Sequence, residues 1–108
     1  MRSPTPAERY PFAGQQLPCY VAGEFIRTGP GFANISPVDG RMIATVTEAD
    51  AALVDRAVQA ARAALHGPWG RLTLQERCAL LRKVADRIEQ RFDEFVSAEI
   101  ADTGKMLA

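Results

Sequence analysis

The sequence predicts an α/β fold in which β-hairpins are followed by amphipathic helices. Three observations point to it. Strand-like runs rich in β-branched and apolar residues flank Pro37-Val38-Asp39-Gly40, a turn signature. Apolar residues then recur at helical spacing from Leu53 to Leu65, and again from Leu74 to Phe92. Residues that start and stop helices, Asp50, Gly67-Pro68 and Thr73, stand between these stretches. With 108 residues the chain is long enough for one small domain and a modest core.

Residues 1–18 contain Pro4, Pro6, Pro11 and Pro18 and read as a loose polar arm, with the folded part spanning residues 19–108. Residues 19–28, CYVAGEFIRT, read as a short strand pair or as one strand kinked at Gly23. Residues 32–36 and 41–47 form the clearer hairpin. Pro37 fixes φ early in its turn, and Asp39-Gly40 supplies the positive φ that closes it. Period-two alternation in the second strand puts Met42, Ala44 and Val46 on one face and Arg41, Ile43 and Thr45 on the other.

The first helix opens on Asp50, whose carboxylate can accept from orphan N–H groups at the positive end of the dipole. Leu53, Val54, Ala57, Val58, Ala61, Ala64 and Leu65 form its apolar stripe; Gly67 stops it and Pro68 forbids continuation. A second helix starts with Thr73 and Glu76 at capping-box spacing. Its stripe runs through Leu74, Cys78, Leu81, Ala85, Ile88 and Phe92, widened by Leu80 and Val84. Arg77, Arg82, Lys83, Arg87, Glu89 and Gln90 form a mixed, solvated opposite face. Phe92 and Asp93 read as a break and recap, after which Phe95, Val96 and Ile100 turn inward on a third helical stretch.

Charge and composition exclude several classes. Lys+Arg and Asp+Glu both number 13, so the net charge is zero and no concentrated basic surface exists for nucleic acid. Apolar runs are far shorter than the roughly 20 residues that span a bilayer. The first residues show no secretory h-region, so the expected compartment is the cytoplasm. Cys19 and Cys78 have no metal-ligand spacing and read as small buried hydrophobes. His66, the one histidine, is explained by its place at a helix end. Gly67, Gly70 and Gly104 form neither G-x-G-x-x-G nor a P-loop, so no nucleotide site is read in this chain.

The segment AEIADTGKMLA contains Asp-Thr-Gly, the motif of aspartic proteases. That chemistry needs the motif on a loop after a strand, with two copies sharing a proton. Here helical periodicity precedes Asp102, and Lys105 stands where a small residue would line the site. A carboxylate near the C-terminal end of a helix faces the negative pole of the dipole and needs compensation. Lys105 could provide it, as could a monovalent cation; Asp102 or Thr103 could instead cap a further helix.

Four stretches taken in order, NISPVDGRMIATV, DAALVDRAVQAARAALHGPWGRLT, ERCALLRKVADRIEQRFDEF and AEIADTGK, resemble the N-terminal segment of NAD(P)-dependent aldehyde dehydrogenases. AVQAARAALHGPWGRLT with RFDEFVSAEIADTGK is most similar to the 2-hydroxymuconic and 2-aminomuconic semialdehyde dehydrogenases of aromatic-ring catabolism. Met106 departs from the family's usual Pro after Asp-Thr-Gly-Lys. The resemblance implies the outer part of an NAD-binding domain, incomplete as an independent fold. It implies a small-molecule aldehyde substrate, NAD as cofactor, and a homo-oligomer (dimer or tetramer) without nucleic-acid or membrane partners. The family's thiolate nucleophile and glutamate base match no residue here, so no catalytic or cofactor-binding residue is assigned. One site carries over: a structural monovalent cation, K⁺ or Na⁺, held by oxygens of Asn34 and Ile35 and by the Asp102 carboxylate. The residues also permit a non-catalytic helical interaction module. Neither the choice of semialdehyde nor NAD against NADP is legible.

Overall fold

The computed structural model describes residues 1–4 and 10–106. In chain order the elements are β1 (Gln16–Leu17), β2 (Cys19–Val21), β3 (Glu24–Ile26), β4 (Gly31–Ile35) and β5 (Met42–Thr47). The helices α1 (Ala51–Ala64), α2 (Pro68–Arg71), α3 (Leu74–Gln90) and α4 (Phe92–Thr103) follow. The fold is α/β, as expected. β5 is the centre of a three-stranded sheet ordered β1-β5-β4, antiparallel to β4 and parallel to β1. β2 and β3 form a separate antiparallel hairpin, so of the two readings at Gly23 the strand pair holds. Its two-residue turn takes left-handed φ at both Ala22 (52°) and Gly23 (82°), which matches the twist of the flanking strands but strains the alanine.

The 1–18 arm is not loose throughout. Gln16 and Leu17 pair with Thr45 and Val46, and the amide of Gly14 donates to the Ile43 carbonyl at 3.0 Å. A two-residue strand has no period to read; what fixes it is the open edge of β5, whose backbone groups need partners. The alternation predicted for β5 also fails at one place. The register with β4 shifts between Asn34, which opposes Ala44, and Ile35, which opposes Met42. The extra residue on β5 is Ile43, and a bulge of this kind breaks the alternation of faces. Ile43 and Ala44 are consequently both buried while Met42 is exposed.

The helix starts follow the sequence closely. Asp50 Oδ1 accepts from the Leu53 amide at 2.8 Å. Thr73 and Glu76 close a reciprocal capping box, with Thr73 N–H donating to Glu76 Oε2 at 2.7 Å and Glu76 N–H to Thr73 Oγ1 at 3.2 Å. The break after α3 falls at Arg91, one residue before the expected position, so Phe92 opens α4 rather than closing the α3 stripe. Residues 68–71, between the two long helices, form the one-turn helix α2 with Pro68 in its first turn.

Ile43 and Ala101 make the core cluster, with Tyr10 of the arm packed against it. The helical stripes form as expected but are left uncovered: neither α1 nor α3 contains a buried residue. The radius of gyration is 17.4 Å, against about 13 Å for a compact domain of this length. The chain exposes 8331 Å², where a folded monomer of its mass would expose about 5,900 Å².

Candidate cation site

The β4–β5 turn meets the C-terminal end of α4, and the residues singled out in the sequence converge there. Asn34, near the end of β4, donates from Nδ2 to Asp102 Oδ1 at 2.7 Å across 68 positions of sequence. Asp102 lies in the last turn of α4, which has no basic residue there and ends on Gly104 at φ 71°. The motif Asp-Thr-Gly is therefore a helix end with a left-handed cap, and the post-strand loop that protease chemistry requires is not what holds it. Beside this contact the buried Ser36 hydroxyl donates to the Ala101 carbonyl at 2.6 Å and accepts from the Val38 amide at 3.3 Å. Gly104 sits against Pro37 and Val38; a Cβ placed on it would lie 3.5 Å from Pro37 Cγ.

The turn is ordered by its own short-range bonds. Ser36 N–H donates to the Arg41 carbonyl at 2.8 Å and Gly40 N–H to the Ser36 carbonyl at 2.9 Å. Asp39 Oδ1 accepts from the Arg41 amide at 3.0 Å, and Gly40 takes φ 71°. Thr103 Oγ1 donates back to the Glu99 carbonyl at 2.7 Å and accepts from the Lys105 amide at 3.2 Å. This back-bonding gives the Glu99 carbonyl a side-chain donor in the last turn of α4.

The dipole problem at Asp102 has a partner that sequence reasoning did not name: the Asn34 amide. Among the described residues, Lys105 forms no ion pair with Asp102. Tyr10 feels the same carboxylate. Burial pushes its phenol above the ordinary tyrosine range, and the negative charge of Asp102 pushes it further.

Asn34, Ile35 and Asp102 thus fall at one junction. Asn34 turns its amide nitrogen to the carboxylate, so its side-chain oxygen is not aimed at Asp102. The Asn34 and Ile35 peptides lie at the point where the bulge interrupts the ladder. One carboxylate with neutral carbonyls suits a hard monovalent ion. Among the described residues no group of three or more His, Cys, Asp or Glu side chains could hold a metal ion.

The other sequence candidates are placed elsewhere. Cys19 is half-buried, and its thiol donates to the Thr47 carbonyl at 3.5 Å; Cys78 is half-buried on α3. His66 is exposed at the end of α1, where its carbonyl accepts from Arg71 at 3.3 Å. Ser36 and Tyr10 are residues of this junction that the sequence did not disclose. A serine before Pro37 gives no sign of burial. The only signal for Tyr10 was an aromatic pair, Tyr10 and Phe12, inside a polar arm; their rings meet edge to face at 6.1 Å.

A helix-ended Asp-Thr-Gly tied to an Asn-Ile-Ser-Pro hairpin joins two of the stretches that carry the resemblance, and comparison with known proteins gives the family. The aldehyde dehydrogenase family profile matches residues 26–108, and the chain belongs to that family. It is similar to a 2-hydroxymuconic semialdehyde dehydrogenase of Pseudomonas sp. (strain CF600), 48% identical over 93 residues that cover 84% of this chain and 19% of that protein. A 2-aminomuconic 6-semialdehyde dehydrogenase of Pseudomonas sp is 44% identical over 89 residues, covering 82% of this chain and 18% of the relative. The chain therefore spans roughly a fifth of the length of these curated relatives. A crystal structure of proline utilization A from Bdellovibrio bacteriovorus, inactivated by N-propargylglycine, matches with a TM-score of 0.78 at 20% identity. That match covers 83% of this chain and 9% of the other, and it shows the fold alone.

Proposed function

We propose that this chain is the N-terminal portion of an aldehyde dehydrogenase that oxidises a muconic semialdehyde, 2-hydroxymuconic or 2-aminomuconic, to the carboxylate with NAD in the cytoplasm. The observation that carries this reading is the 48% identity to a 2-hydroxymuconic semialdehyde dehydrogenase. Neither described cysteine stands beside a base that would activate it, and the described strands form no βαβ unit to cradle a dinucleotide. These residues do not fit NAD, and no chemical step is assigned to them. Among the described residues, no helix is long and apolar enough to cross a membrane. The role of this segment is to frame the enzyme, with the hairpin-to-helix junction as its fixed point and a small aldehyde as the substrate of the homo-oligomer.

At that junction, Asp102 and the carbonyl oxygens of Asn34 and Ile35 hold a structural K⁺ or Na⁺. Their clustering supports this reading, as does the single negative charge facing a helix C-terminus.

The test is a graft in which residues 16–106 replace the matching segment of the Pseudomonas 2-hydroxymuconic semialdehyde dehydrogenase. NAD reduction by the purified chimera with its semialdehyde is expected to persist, while the 108-residue chain alone turns over nothing. A soluble, folded chimera without turnover would defeat the enzymatic reading. The chimera's melting temperature should rise in potassium or sodium over a bulky organic cation at matched ionic strength, and Asp102→Asn should remove most of that rise. Equal melting points in all three salts would leave Asp102 as a helix-end residue tied only to Asn34.

A second reading, a non-catalytic helical interaction module, is favoured by one observation. The apolar stripes of α1 and α3 are formed yet uncovered.

A further inference from the structure

The β4–β5 turn places an acid directly before a glycine, Asp39-Gly40, and Pro37 to Gly40 are exposed. This pair has a backbone reactivity of its own, because attack of the Gly40 nitrogen on Asp39 Cγ closes an unstrained five-membered ring. Glycine has no Cβ to obstruct the approach, and a Cβ placed on Gly40 would meet nothing within 4 Å.

Both reacting groups are engaged in the folded turn. Gly40 N–H donates to the Ser36 carbonyl at 2.9 Å, and Asp39 Oδ1 accepts from the Arg41 amide at 3.0 Å. The Gly40 nitrogen becomes a nucleophile only when its proton leaves, and Ser36 holds that proton. Ring closure therefore waits for the same local opening that exchanges the Gly40 amide hydrogen. Ser36 is itself fastened. Its N–H donates to the Arg41 carbonyl at 2.8 Å, and its buried hydroxyl donates to the Ala101 carbonyl on α4 at 2.6 Å.

We propose that Asp39 is a self-modification site guarded by this turn: when the turn opens, Asp39-Gly40 converts to an isoaspartyl linkage. First the Gly40 nitrogen bonds to Asp39 Cγ, and the nitrogen's proton and the carboxyl's hydroxyl leave as water. Water then adds to one of the two carbonyls of the cyclic imide, and the C–N bond there breaks. Breakage at Cγ restores the aspartate. Breakage at the Asp39 main-chain carbonyl leaves the chain running through Cβ and Cγ, with the α-carboxylate as a side group. Water is the only reactant taken up, and nothing is oxidised or reduced. The product has one more carbon between Asp39 Cα and the Gly40 nitrogen, and the Ser36–Gly40 and Ser36–Arg41 bonds are matched to the shorter path. Gly104 rests on Pro37 and Val38, so a loosened turn also loosens the end of α4 that carries Asp102. The reaction is intramolecular, and it does not depend on the enzymatic reading above.

The experiment incubates the full chain in neutral heavy-oxygen water beside a synthetic peptide of residues 28–41. Trypsin, cutting after Arg27 and Arg41, releases the same peptide from the chain, and Asp39 is its one acidic residue. Passage through the imide adds a heavy oxygen, and the isoaspartyl isomer separates from the aspartyl one by chromatographic retention. The folded chain should form the isomer at least about tenfold more slowly than the free peptide. Ser36→Ala, checked for helix content by circular dichroism, should speed conversion by the factor by which it speeds Gly40 amide exchange, roughly fivefold to 150-fold. In the isomerised fraction the Gly104 amide, which donates to the Ile100 carbonyl at 2.9 Å, should exchange faster. Equal rates in chain and peptide would overturn the proposal, because the turn would then guard nothing. So would a Gly40 amide that exchanges while no isomer forms, a Ser36→Ala chain that converts no faster than its parent, or Gly104 exchange indifferent to isomerisation. The comparison of chain with peptide needs no variant, so it decides the matter even where Ser36→Ala does not fold.

Discussion

Ser36 and Tyr10 show how much a single side chain carries at the junction. The Ser36 hydroxyl is fully buried and bridges the Ala101 carbonyl and the Val38 amide, so Ser36→Ala leaves both without this partner. The cost should be about 1–3 kcal/mol, read as roughly fivefold to 150-fold faster amide exchange at Ser36 and Gly40. Unchanged exchange would mean that the turn is held by its backbone bonds alone. For Tyr10 the folded phenol is raised, so its contribution is complete below the ordinary tyrosine range and is lost as pH rises through the folded value. In a Tyr20→Phe background, ultraviolet titration should find Tyr10 above the free-phenol value, and Asp102→Asn should bring it part of the way down. Burial, the larger cause, stays. Asp102 was marked by its place at a helix C-terminus, but its pairing with Asn34 was legible only through a family pattern, because spacing says nothing about a contact across 68 positions. Ser36 was not legible at all, since nothing in one sequence marks a hydroxyl as buried.

N-caps are local chemistry, and the sequence showed them: Asp50, and Thr73 with Glu76. Elements whose cause is tertiary were not visible. β1 has two residues and exists because β5 offers it an edge; the bulge at Ile43 lets that residue reach Ala101 while Ala44 is buried as well. The α3 cap carries a pH dependence of definite sign. The Thr73 amide, and then its hydroxyl, donate to Glu76 and hold that carboxyl below the ordinary glutamate value. The cap is complete above the ordinary value and is lost as pH falls through the lower folded one. The Thr73 amide resonance should report this as a single titration below the ordinary glutamate range, abolished by Glu76→Gln. Thr73→Ala should fray the first turn at all pH values, at a cost of about 1 kcal/mol to the helix. A Thr73 resonance indifferent to acid would show that the box is open in solution.

At the scale of the molecule, the local instructions are consistent and the burial is not. Only Val21, Ile43, Ala44 and Ala101 form the buried apolar set among the described residues. Fully burying a side chain the size of Ile43 contributes about 1.5–3 kcal/mol, whereas fixing each residue's backbone costs about 1–2 kcal/mol. Such a core cannot hold four helices that bury almost nothing. The sequence revealed the stripes on α1 and α3 but not that they stay unburied among the described residues, because a period shows a face and not its partner. Helix content should therefore depend on association. Isolated helices of 14 and 17 residues, the lengths of α1 and α3, are marginal in water. Their circular dichroism at 222 nm should weaken several-fold on dilution from about 100 μM to about 1 μM, as the equilibrium moves toward monomer. A helical signal independent of concentration would mean that α1 and α3 stand on their own, and that the uncovered stripes cost the folded chain less than their exposure implies.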